Sequence, residues 1–299
     1  MIYSGTYKDR PAIYVKNGDL TAAFLPQDGG KLASLRDASR EYLAQAPGER
    51  YRRLTPDGDY IASECSGFDD MFPTIDPYTP ATGMCRGLEY PDHGEVCRHP
   101  MDVHCTQEDV SFRFQSGRFP ILWEKRMCCE EDGIAVYYSM ENHGEEDFPY
   151  IWAAHCMLQA DPDGTVLTPY ADDADKRVMF GNPGPMDRAL PFDPAGESFK
   201  YYFREPIGQG WCGYRYGDGT TLLLRYPPEV LRYLGIWINN GSFKSMYNIA
   251  LEPCSAPYDR PDCAMETGYC SVLAPGQRLT FRLLITVSRG KDGNCDGIG

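Results

Sequence analysis

Residues 279–287 read Leu-Thr-Phe-Arg-Leu-Leu-Ile-Thr-Val. A period of two puts Leu279, Phe281, Leu283, Ile285 and Val287 on one face, as in a strand with one buried side. Working outward, the pattern recurs: Ile134, Val136, Tyr138 and Met140 alternate after the turn Glu131-Asp132-Gly133. Further strands are expected near 20–25, 31–35, 110–114, 221–226, 232–238 and 246–251. Turn sequences such as Asp28-Gly29-Gly30, Asn142-His143-Gly144, Asp161-Pro162-Asp163-Gly164 and Ala274-Pro275-Gly276 separate them. Helical periodicity is scarce, its best stretch being Asp37–Leu54, which Pro47-Gly48 interrupts. The predicted class is all-β: a large antiparallel β-sandwich with few short helices. It forms a single domain over 1–288, followed by a loose, polar, Gly-rich tail over 289–299.

Composition narrows the function. With 42% hydrophobic and 13% aromatic residues, the 299-residue chain can bury a full core. Lys and Arg total 29 against 43 Asp and Glu, a net charge of −14. No basic run exceeds Tyr51-Arg52-Arg53, so nucleic acid and anionic membranes are poor partners. The start, MIYSGTYKDR, lacks the apolar core of a signal peptide, and no apolar run approaches membrane-spanning length; the expected location is the cytoplasm. The twelve cysteines include no C-x-x-C, and Cys128-Cys129 are adjacent, which reads as reduced thiols packed like small apolar residues.

Several stretches carry chemistry. In Glu89–Pro100, EYPDHGEVCRHP, a stiff Pro91 and a permissive Gly94 bracket His93 in a turn that presents an imidazole. As a strand, Tyr150–Leu158 puts Ile151, Ala153, His155 and Met157 on one face, where the imidazole either bonds a backbone carbonyl or lines a cavity. In Met246–Pro253, Asn248, Ala250 and Glu252 share a small, polar face, and Pro253 is expected to end the strand with Glu252 at its rim. Trp237 stands among Tyr233, Gly235 and Asn239, a composition suited to stacking on a sugar ring or to a core. Asp69 and Asp70 sit among Phe68, Met71 and Phe72, where a buried carboxylate needs partners.

In their order along the chain, GGKLASLRD (Gly29–Asp37), SGFDDMFPTI (Ser66–Ile75), YPDHGEV (Tyr90–Val96), IWAAHCML (Ile151–Leu158), GIWINNG (Gly235–Gly241) and IALEP (Ile249–Pro253), with LAPGQ (Leu273–Gln277) after them, resemble the galactose mutarotase-like superfamily, which includes the aldose 1-epimerases. The resemblance spans about residues 20–288. It implies a β-sandwich binding a sugar in an open cleft, and an isomerase that interconverts sugar anomers with no metal or other cofactor. It further implies that Glu252 is the general base, that His155 is the acid on the ring oxygen and that His93 contacts substrate near the reacting centre. Asp69 or Asp70 would hold sugar hydroxyls, with an arginine from among Arg86, Arg98 and the pair Arg52-Arg53. The chain departs from the better-known epimerases after His155, where Cys156 and Met157 replace a polar residue and an aromatic. The expected partner is a small carbohydrate, a monosaccharide or short saccharide, with homodimerisation left open. The alternatives are a non-catalytic carbohydrate-binding protein of the same fold and an enzyme acting on a larger or modified saccharide. A polysaccharide lyase would want a long positive groove, at odds with the net charge. A metal site on His93, His99 and His104 fits no ligand spacing.

Overall fold

The stretch 279–287 lies within the strand Arg278–Ser288, with Phe281, Leu283 and Ile285 in the main core. The computed structural model describes residues 1–131, 133–182 and 191–289. Asp132 and, apart from Arg289, the expected tail lie outside them. Strands take up 47% of the chain and helices 3%, so sheets and the loops between them position the site.

One sheet has ten strands, in the order Ile2–Tyr7, Arg10–Asn17, Leu20–Leu25, Lys31–Arg36, Phe68–Met71, Ala153–Gln159, Tyr247–Cys254, Tyr233–Asn240, Ser198–Phe203 and Lys176–Phe180. A second has eight, running Thr165–Leu167, Trp211–Arg215, Thr221–Arg225, Arg278–Ser288, Gly133–Asn142, Ile121–Glu130, Asp109–Gln115 and Asp102–Cys105. Each neighbouring pair is antiparallel, as in Gly133–Asn142 against Arg278–Ser288. The inner faces meet in one core. Phe24, Leu32, Cys156, Leu158, Ile236 and Leu251 of the first sheet pack with Phe112, Trp123, Val136, Leu283 and Ile285 of the second. Each such side chain contributes about 1.5–3 kcal/mol by leaving water. Cys156, Cys212 and Cys254 are fully buried and act there as small apolar residues.

Two expectations are corrected. Asp37–Leu54 is not helical. Asp37 Oδ1 accepts hydrogen bonds from the backbone N–H groups of Ser39 and Arg40 and from the Ser39 hydroxyl, closing a turn that competes with helix formation. Beyond it, Tyr42–Ala44 runs beside Ala153–Gln159, with Gln159 N–H donating to Tyr42 O and Ala44 N–H to Met157 O. Among the described residues the helices are instead a 3-10 turn, Val96–Arg98, and a short α-helix, Pro261–Glu266, with proline in its first turn. Nor does Pro253 end its strand, which continues to Cys254. A proline costs a ladder one donor, and here the pairs Leu251↔Ile236 and Cys254↔Tyr233 hold the segment extended on either side. Glu252 is therefore interior, 1% exposed, and not at a rim.

Candidate active site

Strand register assembles the site. His155 pairs with Asp69 on one neighbour. On the other side, the pairs Ala153↔Cys254 and Cys156↔Leu251 put His155 level with Glu252. Glu252 pairs with Gly235, and Gly235 with Tyr202. Asp69, His155, Glu252, Gly235 and Tyr202 thus form one row across five adjacent strands, on the face away from the main core. The next row holds Met157, Ala250, Trp237, Lys200 and Phe180.

The glycine in the row has a steric reason. A Cβ at Gly235 would lie 2.6 Å from Tyr202 Cε1 and 3.1 Å from Glu252 Oε2. Its absence leaves room for the Tyr202 ring and the Glu252 carboxylate side by side. Lys200 Nζ lies 2.9 Å from Glu252 Oε2 and 2.8 Å from Asp259 Oδ1. The Lys200–Glu252 contact is an ion pair set off the direction of a good hydrogen bond. The Tyr202 hydroxyl also donates to Asp259 Oδ1, at 2.6 Å.

These groups line a cavity of about 360 Å³. Its polar wall carries His93, His155, Glu252, Lys200, Asp259 and Asp76, and its apolar wall includes Trp237, Phe243, Ile61, Met179 and Phe180. His155 Nε2 is 4.0 Å from Glu252 Oε1, and its Nδ1 is 3.1 Å from the Tyr60 hydroxyl. Burial drives the His155 imidazole well below its usual value, with the positive charges of His93, Lys200 and Lys31 adding to the effect. Burial raises Glu252 and outweighs the opposing pull of Lys200. For Lys200 burial acts downward, yet the carboxylates of Asp259 and Glu252 prevail and hold the ammonium charged.

His93 enters from a turn. Its own φ is +57° and that of Gly94 is +78°, and a Cβ at Gly94 would lie 2.3 Å from Phe72 O, so only glycine fits there. Its N–H donates to Ile75 O, and its Nδ1 is 2.8 Å from Asp92 Oδ1. Its ring stacks on Tyr60 with centroids 3.7 Å apart and lies 5.2 Å from the ring of His155. Trp237, half-buried, has its ring 5.8 Å from that of His155.

The remaining expected residues fall elsewhere. Asp69 points to the cleft side, but its carboxylate is taken up by Lys31 Nζ and the Tyr60 hydroxyl, each at 2.9 Å. Asp70 points to the opposite face and pairs with Lys125 at 2.7 Å. Arg86 is exposed on a turn. Arg98 is buried and donates to the carbonyls of Gly94, Gly58 and Asp92, clamping the His93 turn instead of facing the cavity. His99 stacks on Phe114, and His104 is exposed on the second sheet. Sequence reasoning missed Tyr60, Lys200 and Asp259. Lys200, the one charge in Ser-Phe-Lys-Tyr-Tyr-Phe (Ser198–Phe203), was a visible signal; Tyr60 and Asp259 sit in irregular segments that carry none.

No known family's model matches the chain, and no curated protein sequence does. Solved structures do. Slr1438 protein from Synechocystis sp. PCC 6803 superposes with a TM-score of 0.70 at 15% identity, over 96% of this chain and 100% of that one. A galactose mutarotase-like protein from Clostridium acetobutylicum gives 0.69 at 14%, over 97% and 99%. A galactose mutarotase related enzyme from Lactobacillus acidophilus gives 0.65 at 15%, over 98% and 99%. At such identities the likeness is one of fold.

Proposed function

We propose that this chain, which has the galactose mutarotase-like fold, is an aldose 1-epimerase that interconverts sugar anomers by acid–base ring opening. The observation that carries the reading is the pair formed by His155 Nε2 and Glu252 Oε1, 4.0 Å apart at the wall of a sugar-sized cavity. Opening a hemiacetal requires one group to take the proton of the anomeric hydroxyl while another protonates the ring oxygen, after which the C1–O5 bond breaks. Rotation about C1–C2 and closure on the other face reverse both transfers. One proton held between two groups is enough. With Glu252 as carboxylate and His155 as imidazolium, opening moves that proton to Glu252, and closure returns it. Burial disfavours the charge on both groups, and Lys200 opposes it for the carboxylate. Each proton transfer contributes roughly 10²–10⁴-fold. His93 contacts substrate beside the pair, and Trp237 offers the apolar face of the ring a platform.

The charge inventory supports a neutral sugar. Among the described residues lining the cavity, the Lys200 ammonium is already held by two carboxylates, and Asp76 adds another negative charge. A phosphate or uronate would find no free ammonium or guanidinium there. The exposed side chains of Ile61, Met179 and Phe180 favour a second reading for the outer part of the cavity, as contact for a saccharide longer than one ring.

The test is saturation-exchange NMR or polarimetry on freshly dissolved α-anomers of neutral aldoses, with the Glu252→Gln variant alongside. Acceleration by the wild type that falls by roughly 10²-fold or more in the variant is the expected result. Sugar binding without acceleration would make the chain a carbohydrate-binding protein. An unchanged rate in the variant would remove Glu252 from the chemistry.

A further inference from the structure

A hydroxyl has one proton to give, and that decides which nitrogen of His155 carries hydrogen. The Tyr60 oxygen lies between Asp69 Oδ2, at 2.9 Å, and His155 Nδ1, at 3.1 Å. Asp69 is the ion-pair partner of Lys31, whose Nζ is 2.9 Å from that same oxygen, and all three side chains are buried. A carboxylate held by an ammonium accepts hydrogen bonds and has none to donate. If Tyr60 turned its proton toward His155, two oxygens 2.9 Å apart would face each other with no hydrogen between them, a costly arrangement inside a protein. The phenol therefore donates to Asp69, and its lone pair is left facing Nδ1. Burial and the charge of Asp69 push the Tyr60 hydroxyl far above its ordinary value, so it keeps that proton.

We propose that Tyr60, anchored by Asp69 and Lys31, is a positioning residue that locks His155 in the Nδ1–H tautomer and turns a bare Nε2 toward Glu252. Its purpose rests on the epimerase reading, although its geometry does not. A proton passed between His155 and Glu252 has to land on Nε2, since Nδ1 is committed to Tyr60. In the other tautomer the Nε2 hydrogen would point toward Glu252, and the only bare nitrogen would face the Tyr60 hydroxyl. Tyr60 also stacks on His93, so one phenol ring sets the positions of both imidazoles.

Long-range ¹⁵N–¹H NMR of imidazole-labelled protein reads the tautomer directly, and the five histidines of the chain make assignment by single substitution tractable. The expected result above the titration range of His155 is a protonated Nδ1 and a bare Nε2, changing to a mixed or Nε2–H pattern in Tyr60→Phe. If that variant is active, kcat falls by roughly 10- to 100-fold while KM stays within about twofold. A protonated Nε2 in the wild type overturns the proposal, and so does a tautomer that survives loss of the hydroxyl. Should Tyr60→Phe fail to fold, 3-fluorotyrosine at position 60 keeps the ring and weakens the oxygen as an acceptor. The His155 Nδ1 resonance then has to move, and a fixed resonance overturns the proposal equally. The tautomer is read without any sugar, so it stands or falls separately from the epimerase activity.

Discussion

His155 is an imidazole whose charged form the fold disfavours. It is 5% exposed, and burial, helped by the charges of His93, Lys200 and Lys31, holds it well below its ordinary value. As pH falls below roughly 6.5, the unfolded chain takes up this proton while the folded chain resists it. Stability is therefore complete above that pH and declines below it, by up to about 1.4 kcal/mol per pH unit. Glu252 runs the other way: its raised value means that the folded chain gains on protonation as pH falls, offsetting part of the loss. Denaturant unfolding of wild type and His155→Gln checks this, with the wild type expected to lose more stability between about pH 6.5 and about pH 5.5. Equal losses would mean that His155 is not held neutral. Both residues stood out in the sequence because period-two alternation put His155 on an otherwise apolar face and Glu252 on a small, polar one. Tyr60 and Asp259 did not, because a coil residue's partners are set by distant strands: Tyr60 bonds His155, and Asp259 bonds Lys200.

At the level of the strand, Gly235 makes the site possible. It is the position in the row where a Cβ would press on both the Tyr202 ring and the Glu252 carboxylate. Gly235→Ala is expected to destabilise the protein by about 1–3 kcal/mol through overpacking against Tyr202. It is also expected to lower kcat more than it weakens sugar binding, because the added methyl displaces the Glu252 carboxylate. Thermal unfolding and single-turnover anomer exchange measure the two effects, and an alanine accepted at no cost in either would mean that the row tolerates a side chain there. The strands themselves were readable wherever alternation was clean, as in Arg278–Ser288. The failures came where one side chain overrode the pattern. Asp37 closes a turn in place of a helix, and Pro253 is carried through a strand by its neighbours.

Across the molecule, charge decides which substrates approach. The chain carries −14, and among the described residues the cavity has Glu252, Asp259 and Asp76 around a single engaged ammonium. Hexose phosphates and uronates are expected to show lower kcat/KM than the matching neutral sugars. The gap should narrow as ionic strength rises from about 0.01 to 0.1 M and the screening length falls from about 30 to 10 Å. A phosphate ester that outperforms its parent sugar at low salt would instead require a cationic subsite. The five-strand row has another consequence. Its five members, Asp69, His155, Tyr202, Gly235 and Glu252, come from strands scattered over most of the chain and meet only in the middle of the ten-stranded sheet. Such non-local pairings close late and at an entropic cost that local turns do not bear. The hydrophobic core can gather while the row is still apart, so completion of the cavity marks the end of folding where secondary structure marks only its progress.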